Sequence, residues 1–290
     1  MIRETSRMSD SRARAPEGNL STFSPEPFSH GGATHEVYRK GTGPAVIVIT
    51  EMPGMSPHVL GFADRVAALG CTVVLPNLFG QAGRDPAAGS KLSQAGYMLR
   101  SWTNVCVSRE FSSLAAGQSS PVVDWLRALA AQEHERCGGP GVGAVGMCFT
   151  GGFALAMAVD DRVLAPVMSQ PSLPLVLFKS RRRAIDCSVK DLGTVRGRCD
   201  STGLKVLGLR FHGDPFVPEE RFEYLREQLG DGFISVELQQ SDGHPDGPLP
   251  KPHSVLTGDL VDEPGEPTRD ALDQVLDLFR EKLLTGATNE

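Results

Sequence analysis

Continuous runs of apolar residues alternate with segments of helical periodicity along most of this 290-residue chain. The run over residues 45–50 (AVIVIT) follows a Gly-Pro pair and is followed shortly by a Pro-Gly pair. After it, Val59, Phe62 and Val66 recur at the spacing of one helix face. A strand that is apolar throughout is buried on both faces, which is typical of a parallel sheet covered by helices. The sequence therefore predicts an α/β fold with a mostly parallel, doubly wound sheet and helices on both faces.

The same reasoning predicts strands over residues 45–50, 71–75, 142–147, 204–211 and 233–238. It predicts helices over residues 56–69, 121–135, 151–159, 219–229 and 268–284. Two less periodic stretches, residues 80–110 and 169–200, are expected to cover the edge where the strands end and to shape a pocket there. Residues 1–33, rich in Ser, Arg and Pro, are predicted to be a mobile N-terminal arm before a single domain over residues 34–290.

Composition argues against several classes of function. The chain has 29 Lys+Arg against 35 Asp+Glu, a net charge of −6, which argues against nucleic acid as a partner. Its six cysteines contain no C-x-x-C pair, so no metal and no cofactor are expected, and they are interpreted as reduced thiols of a cytoplasmic protein. The N-terminus lacks the apolar segment of a signal peptide. The longest charge-free run, residues 137–159, contains seven Gly and one Pro, so no membrane segment is expected.

The segment VGMCFTGGFALA, which begins at Val145, carries the strongest chemical signal. An apolar strand ends near Gly146, Cys148 stands at its tip, and small residues open a helix at once, which is the pattern of a nucleophile elbow. A thiol in this position also gains from the helix N-terminus, whose partial positive charge favours the thiolate. The alternative is a buried structural cysteine. The usual elbow has Gly two residues after the nucleophile, where this chain has Thr150.

The partners of such a nucleophile follow it in the order acid, then histidine. Asp214 lies just beyond the predicted strand over residues 204–211 and could orient an imidazole, although it could also cap the next helix. Of the seven histidines, His244 and His253 follow the last predicted strand at a suitable range. His253 is favoured, because it opens the segment HSVLT before the closing helix, whereas His244 lies in the turn-like segment GHPDGP.

With these motifs the chain resembles the dienelactone hydrolase family, which has an α/β-hydrolase fold and a Cys-His-Asp triad. The resemblance covers roughly residues 34–285 and rests on the segments GMCFTGG, HGDPFVP, PHSVLT and ITEMPGM. It implies that Glu51 contacts the thiol in the resting site and helps to generate the thiolate. It also implies an oxyanion hole formed by the backbone N–H groups of Met52 and Phe149. Taken by itself, Glu51 could equally be a loop carboxylate or a helix cap.

The arginines that bind substrate in that family have no counterparts at the matching positions. Gln81 stands where one of them is expected, and Thr257 stands where the other is expected. The candidates for substrate binding are therefore Gln81, Phe79 and Arg84, with Arg100 as an alternative cation. This difference weakens dienelactone as the substrate and leaves the hydrolytic residues intact.

The resemblance implies an enzyme that hydrolyses an ester or a lactone through an acyl-enzyme on Cys148. Its expected partner is a small-molecule ester or lactone, with no nucleic acid and no membrane, and the chain is expected to be a monomer or a homodimer. One alternative is a non-catalytic binding protein of the same fold, because fold alone does not establish activity. The others are an acyltransferase that uses the same thiol and a redox-sensing thiol.

Overall fold

The computed structural model describes residues 12–107, 119–173 and 179–285. Its strands are β1 (Ser24–His30), β2 (Ala33–Lys40), β3 (Ala45–Ile49), β4 (Thr72–Pro76), β5 (Val142–Met147), β6 (Val163–Ser169), β7 (Val206–Phe211) and β8 (Phe233–Leu238). Its α-helices are α1 (Pro57–Ala68), α2 (Lys91–Val107), α3 (Val122–Cys137), α4 (Gly151–Met157), α5 (Lys179–Arg182), α6 (Val189–Thr202), α7 (Glu219–Leu229) and α8 (Pro267–Phe279). A π-helical segment, Arg280–Leu284, continues α8.

The strands form one eight-stranded sheet in the order β1-β2-β4-β3-β5-β6-β7-β8. Strand β2 pairs antiparallel with β1 and with β4, and the remaining pairs are parallel. The chain runs from β3 out to β4 and then returns to the other side of β3 to form β5. The strand order therefore reverses between β3 and β5, and this position is the switch point of the sheet. Ligands of open parallel sheets bind beyond the carboxyl ends of the strands at the switch point. The predicted mostly parallel α/β sheet is confirmed.

Both faces of the sheet are covered, because successive side chains of the central strands point to opposite sides. Ile47 and Ile49 of β3 belong to one apolar cluster, which includes residues of α3, α4, α6 and α7. Val46 and Val48 of the same strand belong to a second cluster with residues of α1 and α8. Within the described ranges, no helix is both long and apolar enough to span a membrane.

The prediction of a mobile arm over residues 1–33 is wrong for residues 12–33. Strand β1 lies at the edge of the sheet and pairs with β2 along its whole length, from Ser24 to His30. Gly31 and Gly32, with φ values of 59° and 85°, make the two-residue turn of this hairpin. A turn with both φ values positive matches the twist of the two strands, so the Gly-Gly pair is the local signal for this hairpin. Residues 1–11 lie outside the described residues.

The two less periodic stretches contain helices that their composition did not indicate. Helix α2 lies in the stretch 80–110, and α5 and α6 lie in the stretch 169–200. Strand β6 was also not predicted, because Pro166 stands inside it and proline usually argues against a central strand. Residues 108–110 and 174–178 of these stretches lie outside the described residues.

A buried carboxylate, Asp186, joins the segment before α3 to the segment before α6. Its oxygens accept hydrogen bonds from the backbone N–H of Ser120 at 3.0 Å and from the Ser120 hydroxyl at 2.7 Å. Burial raises the pKa of Asp186 to about 7, although the two bonds from Ser120 act in the opposite direction. The folded state therefore binds the Asp186 proton more tightly than the unfolded state does. The free energy of unfolding falls as pH rises from the pKa of Asp186 in the unfolded chain through its folded-state pKa of about 7.

We expect the substitution Asp186→Asn to remove this loss, with the amide oxygen accepting the Ser120 N–H and the amide NH2 donating to the Ser120 hydroxyl. Wild type should lose stability relative to the variant between pH 4 and pH 8, by up to about 4 kcal/mol for a shift of about three pH units. Urea unfolding of both proteins across this range measures the difference, and ionisable groups common to both cancel. An equal pH dependence in the two proteins would show that Asp186 is ionised in the folded state at little cost.

Candidate active site

The tight turn between β5 and α4 holds Cys148 in a strained backbone conformation. Its φ is +55°, which is uncommon for a residue with a side chain and occurs most often where function requires it. The neighbouring residues must be small for the chain to turn so sharply. A Cβ added at Gly146 would lie 2.1 Å from the carbonyl oxygen of Thr150, and one added at Gly151 would lie 2.6 Å from Pro171. The side chain of Cys148 is thereby presented at the edge of the sheet, next to the switch point.

Thr150, at the position where the usual elbow has glycine, braces the turn with its hydroxyl group. The Thr150 Oγ1 accepts a hydrogen bond from the backbone N–H of Met147 at 2.9 Å. The same oxygen lies 2.9 Å from the carbonyl oxygens of Met147 and of Ile49, and its single proton serves one of them at a time. Because Ile49 is the last residue of β3, this contact ties the elbow to the loop that carries Glu51.

His253 and Asp214 form a buried pair beside the elbow. The His253 Nδ1 lies 2.6 Å from Oδ2 of Asp214, and neither side chain is more than slightly exposed. Asp214 follows β7, and its other oxygen accepts the backbone N–H of Phe216 at 2.8 Å. The ring of Phe216 packs edge-on against the imidazole at 5.3 Å between centroids. Because Nδ1 faces Asp214, the imidazole is oriented for its other nitrogen to serve the thiol.

Two neighbours favour the charged form of the His253 imidazole. Burial by itself lowers the pKa of His253, but the Cys148 sulfur and the Asp214 carboxylate outweigh it and raise that pKa well above its usual value. A positively charged imidazole beside a thiol stabilises the thiolate. The His253 imidazole is therefore placed to act on the Cys148 sulfur in its charged form.

His244, the other candidate base, is engaged elsewhere. Its Nε2 lies 3.1 Å from the carbonyl oxygen of Arg12, and its Nδ1 accepts the backbone N–H of Asp246 at 3.1 Å. Both ring nitrogens thus hold backbone groups. The structure brings His253, and not His244, together with Cys148 and Asp214.

Glu51 lies in the site, but its hydrogen bonds go to residues other than the cysteine. Its Oε2 accepts from Nε2 of Gln170 at 3.0 Å and from the hydroxyl of Ser254 at 2.8 Å, and its Oε1 accepts from the hydroxyl of Thr257. The expected contact with the Cys148 thiol is not among the hydrogen bonds of the described residues. The reason is that three donors from two other loops hold the carboxylate. One of these donors, Thr257, stands at the position where the family resemblance places an arginine.

Ser172 and Gln170 were not identified from the sequence. The Ser172 Oγ lies 3.0 Å from Sγ of Cys148, and its backbone N–H donates to the Cys148 carbonyl oxygen at 2.9 Å. Gln170 is fully buried, has a φ of +37°, and links Glu51 to the backbone N–H of Val255. Both residues follow β6, so they were missed together with that strand. Recognition of β6 would have placed the segment SQPS at the functional edge.

The two predicted oxyanion donors lie on the loops that meet at the switch point. Met52 follows Glu51 in a turn closed by the Gly54 N–H to Glu51 carbonyl bond at 2.8 Å. Within residues 12–107, 119–173 and 179–285, the backbone N–H of Met52 has no hydrogen-bond acceptor. Phe149 follows Cys148 in the short 3₁₀ turn of the elbow. Both positions are compatible with donors directed at a carbonyl oxygen bound next to Cys148.

A cavity of about 520 Å³ lies next to the Glu51 loop, and the candidate substrate contacts differ in their relation to it. Gln81 and Arg84 line it together with Arg100, and the Arg84 guanidinium stacks on the ring of Tyr97 at 4.1 Å. Phe79 does not line it, because its side chain is buried in an apolar cluster of the core. In the described part of the chain, no cluster of three or more His, Cys, Asp or Glu side chains is arranged to hold a metal ion.

Comparison with solved structures shows the fold. The dienelactone hydrolase-like promiscuous phosphotriesterase from metagenomic libraries is similar at a TM-score of 0.57 and 20% identity, over 90% of this chain and 98% of its own. A protein from Klebsiella pneumoniae assigned as a dienelactone hydrolase has a TM-score of 0.56 and 16% identity, over 89% and 98%. An α/β hydrolase from Penicillium sp. sh18 has a TM-score of 0.56 and 13% identity, over 90% and 99%. A comparison with curated proteins finds no match.

A sequence model of the dienelactone hydrolase family matches residues 33–183, which is just over half of the chain. The match includes the Glu51 loop, the elbow and the segment after β6. Together with the eight-stranded sheet and its structural relatives, it shows that this chain belongs to the dienelactone hydrolase family of α/β hydrolases.

Proposed function

We propose that this chain hydrolyses carboxylic esters or lactones through a thiolate at Cys148. The observation that carries the proposal is the convergence of three chain segments. Cys148 stands on a strained elbow, and the imidazole beside it is held by Asp214 at 2.6 Å. A nucleophile, a base and a group that orients the base are the parts that covalent acyl transfer requires.

In the proposed reaction, the Cys148 thiolate attacks the carbonyl carbon of the ester, and the imidazolium of His253 gives its proton to the departing alkoxide. The carbon–oxygen bond to the alcohol breaks, and a thioester remains on the sulfur. Neutral His253 then takes a proton from water, whose oxygen attacks the thioester and releases the carboxylic acid. The thiolate leaves, and the thiolate–imidazolium pair is restored.

The proposed oxyanion hole consists of the backbone N–H groups of Met52 and Phe149. A preorganised donor of this kind contributes about 10²- to 10³-fold to the rate, because it meets charge that develops in the transition state. Thr150 supports the arrangement through its contacts at the ends of β3 and β5. It thereby keeps the two proposed donor loops at a fixed separation.

We propose that Gln81 and Arg84 contact the part of the substrate that is remote from the reacting carbonyl. The cavity they line adjoins the Glu51 loop, because Gly80 also lines it and packs closely against Pro53 of that loop. A Cβ added at Gly80 would lie only 2.0 Å from the Pro53 carbonyl oxygen. Phe79 is not proposed as a contact, because its side chain is buried in an apolar cluster of the core.

A cytoplasmic location is also proposed, since Cys71, Cys137, Cys148, Cys187 and Cys199 are all free thiols.

The decisive experiment is to trap the acyl-enzyme and identify its products. Wild-type protein is mixed with p-nitrophenyl butyrate or with a dienelactone, quenched within seconds and digested. We expect an acyl group on the peptide that contains Cys148, and free carboxylic acid as the final product. Transfer of the acyl group to added alcohols or thiols in preference to water would indicate an acyltransferase. Absence of acylation in a folded protein whose Cys148 still reacts with iodoacetamide would contradict the proposal for these substrates.

A further inference from the structure

The hydroxyl of Ser172 lies at hydrogen-bond distance from the Cys148 sulfur. The two side-chain atoms are 3.0 Å apart, and Ser172 is 9% exposed. A serine hydroxyl has one proton, so it can accept from a thiol or donate to a thiolate. When Cys148 is the thiolate that the proposed function requires, the sulfur has no proton to give, so the direction that remains is donation from the hydroxyl to the sulfur.

The backbone that carries this hydroxyl is held by contacts of Ser172 itself and of the preceding residue. The backbone N–H of Ser172 donates to the Cys148 carbonyl oxygen at 2.9 Å, which ties the serine to the elbow itself. The preceding residue, Pro171, packs against Gly151, and its carbonyl oxygen accepts a hydrogen bond from the guanidinium of Arg221 at 2.7 Å. Arg221 is fully buried and also donates to the carbonyl oxygens of Phe216 and Ala184. A donor held in this way costs little reorganisation when the sulfur becomes charged.

The other charged groups at the site have different partners. Glu51 is held by Gln170, Ser254 and Thr257, and Asp214 is held by His253 and the Phe216 N–H. Burial lowers the pKa of Arg221 to about 10, and the neighbouring Asp214 carboxylate acts in the opposite direction. Its described hydrogen bonds go to backbone carbonyl groups, not to the sulfur. Among the residues that the structure describes, the hydroxyl of Ser172 and the imidazole of His253 are the two side-chain groups recorded in contact with the sulfur.

We propose that the Ser172 hydroxyl donates a hydrogen bond to the Cys148 thiolate, and that it contacts the resting sulfur where the family resemblance places Glu51. The inference rests on the proposed function in that Cys148 is taken as the nucleophile. The bond acts at two points of the reaction. It stabilises the resting thiolate, and it forms again as the thiolate leaves during hydrolysis of the thioester. The proton stays on the serine oxygen throughout, so no further reactant is needed.

The test is the pH dependence of Cys148 alkylation by iodoacetamide, followed by mass spectrometry of the peptide that contains Cys148. We expect Ser172→Ala to move the midpoint of the profile upward by about one to two pH units, a ten- to a hundredfold loss of thiolate below the midpoint. A matched pair, Ser172→Thr and Ser172→Val, has the same shape with and without the hydroxyl. Threonine should keep the wild-type midpoint, and valine should raise it.

Two controls make the result specific. Ser201→Ala removes an exposed hydroxyl of α6 that bonds to the Gly197 carbonyl oxygen, and it should leave the profile unchanged. Glu51→Gln measures the alternative, in which the carboxylate controls the thiolate. An unchanged or lowered midpoint in Ser172→Ala, or equal midpoints for threonine and valine, would overturn the proposal.

Alkylation does not require turnover, so the profile can be measured whether or not ester hydrolysis depends on Cys148. If ester hydrolysis survives in Cys148→Ala, the proposed function fails, and the alkylation profile still decides the role of Ser172. If hydrolysis depends on Cys148 but removing the Ser172 hydroxyl leaves the alkylation midpoint unchanged, only the proposed role of Ser172 fails.

Discussion

Replacing Cys148 by alanine is expected to lower kcat/KM for an activated ester by about 10⁴-fold or more, because the acyl-enzyme can no longer form. The backbone of the elbow should be retained, since alanine needs no more space than cysteine at φ +55°. Steady-state hydrolysis of p-nitrophenyl butyrate measures the loss. Thermal unfolding shows whether the variant is still folded.

The matched control is Cys199→Ala, which removes another partly exposed thiol far along the chain from the elbow. This variant should keep wild-type turnover. Comparable activity in Cys148→Ala and wild type would assign the hydrolysis to another residue. Loss of activity in both variants would point to a general effect of thiol removal on the fold.

Replacing His253 by alanine is the second large expected effect, a fall in kcat of about 10³-fold or more. In the proposed reaction the imidazole stabilises the thiolate, protonates the leaving alcohol and activates water, so its removal affects each chemical step. Because Asp214 orients the ring through Nδ1 at 2.6 Å, Asp214→Asn should show a smaller loss of the same kind. Single-turnover acylation and steady-state hydrolysis, measured across pH, separate these steps.

His244→Ala is the matched control, because it removes a buried imidazole at a similar position in the sequence. Its ring nitrogens form hydrogen bonds with the Arg12 carbonyl oxygen and the Asp246 N–H. We therefore expect the variant to be less stable than wild type but to turn over the ester at close to the wild-type rate. A greater loss of activity in His244→Ala than in His253→Ala would reverse the assignment of the base.

Secondary structure near the site follows closely from local pattern. The apolar run over residues 142–147 predicts β5 with its observed bounds, and Glu219–Leu229 is likewise found as predicted. The small residues around Cys148 predict the elbow, because only a sharp turn requires Gly146 and Gly151 together. The β1–β2 hairpin shows the opposite case. Strand β1 is mostly polar, so only the Gly31-Gly32 pair indicates the hairpin in the sequence.

The partners of Glu51 show what local pattern does not contain. The resemblance places this carboxylate next to the thiol, and its distance in sequence from Ser254 and Thr257 is more than 200 residues. Whether it meets the sulfur or these hydroxyl groups depends on how the loops after β3 and β6 and the histidine loop pack at the sheet edge. No short segment of sequence carries that information.

The sequence by itself determined the α/β class and the elbow at Cys148, because periodicity and residue size act over a few positions. It also predicted Asp214 and His253 as the acid and the histidine that follow the elbow. The tertiary structure alone decided that β6 lies beside β5 and brings Ser172 to the sulfur and Gln170 to Glu51. Hydrogen bonds at the edge of a sheet join loops from neighbouring strands, and strand neighbours are set by packing of the whole chain. The candidate nucleophile could therefore be predicted from sequence, whereas the donor proposed to stabilise it could not.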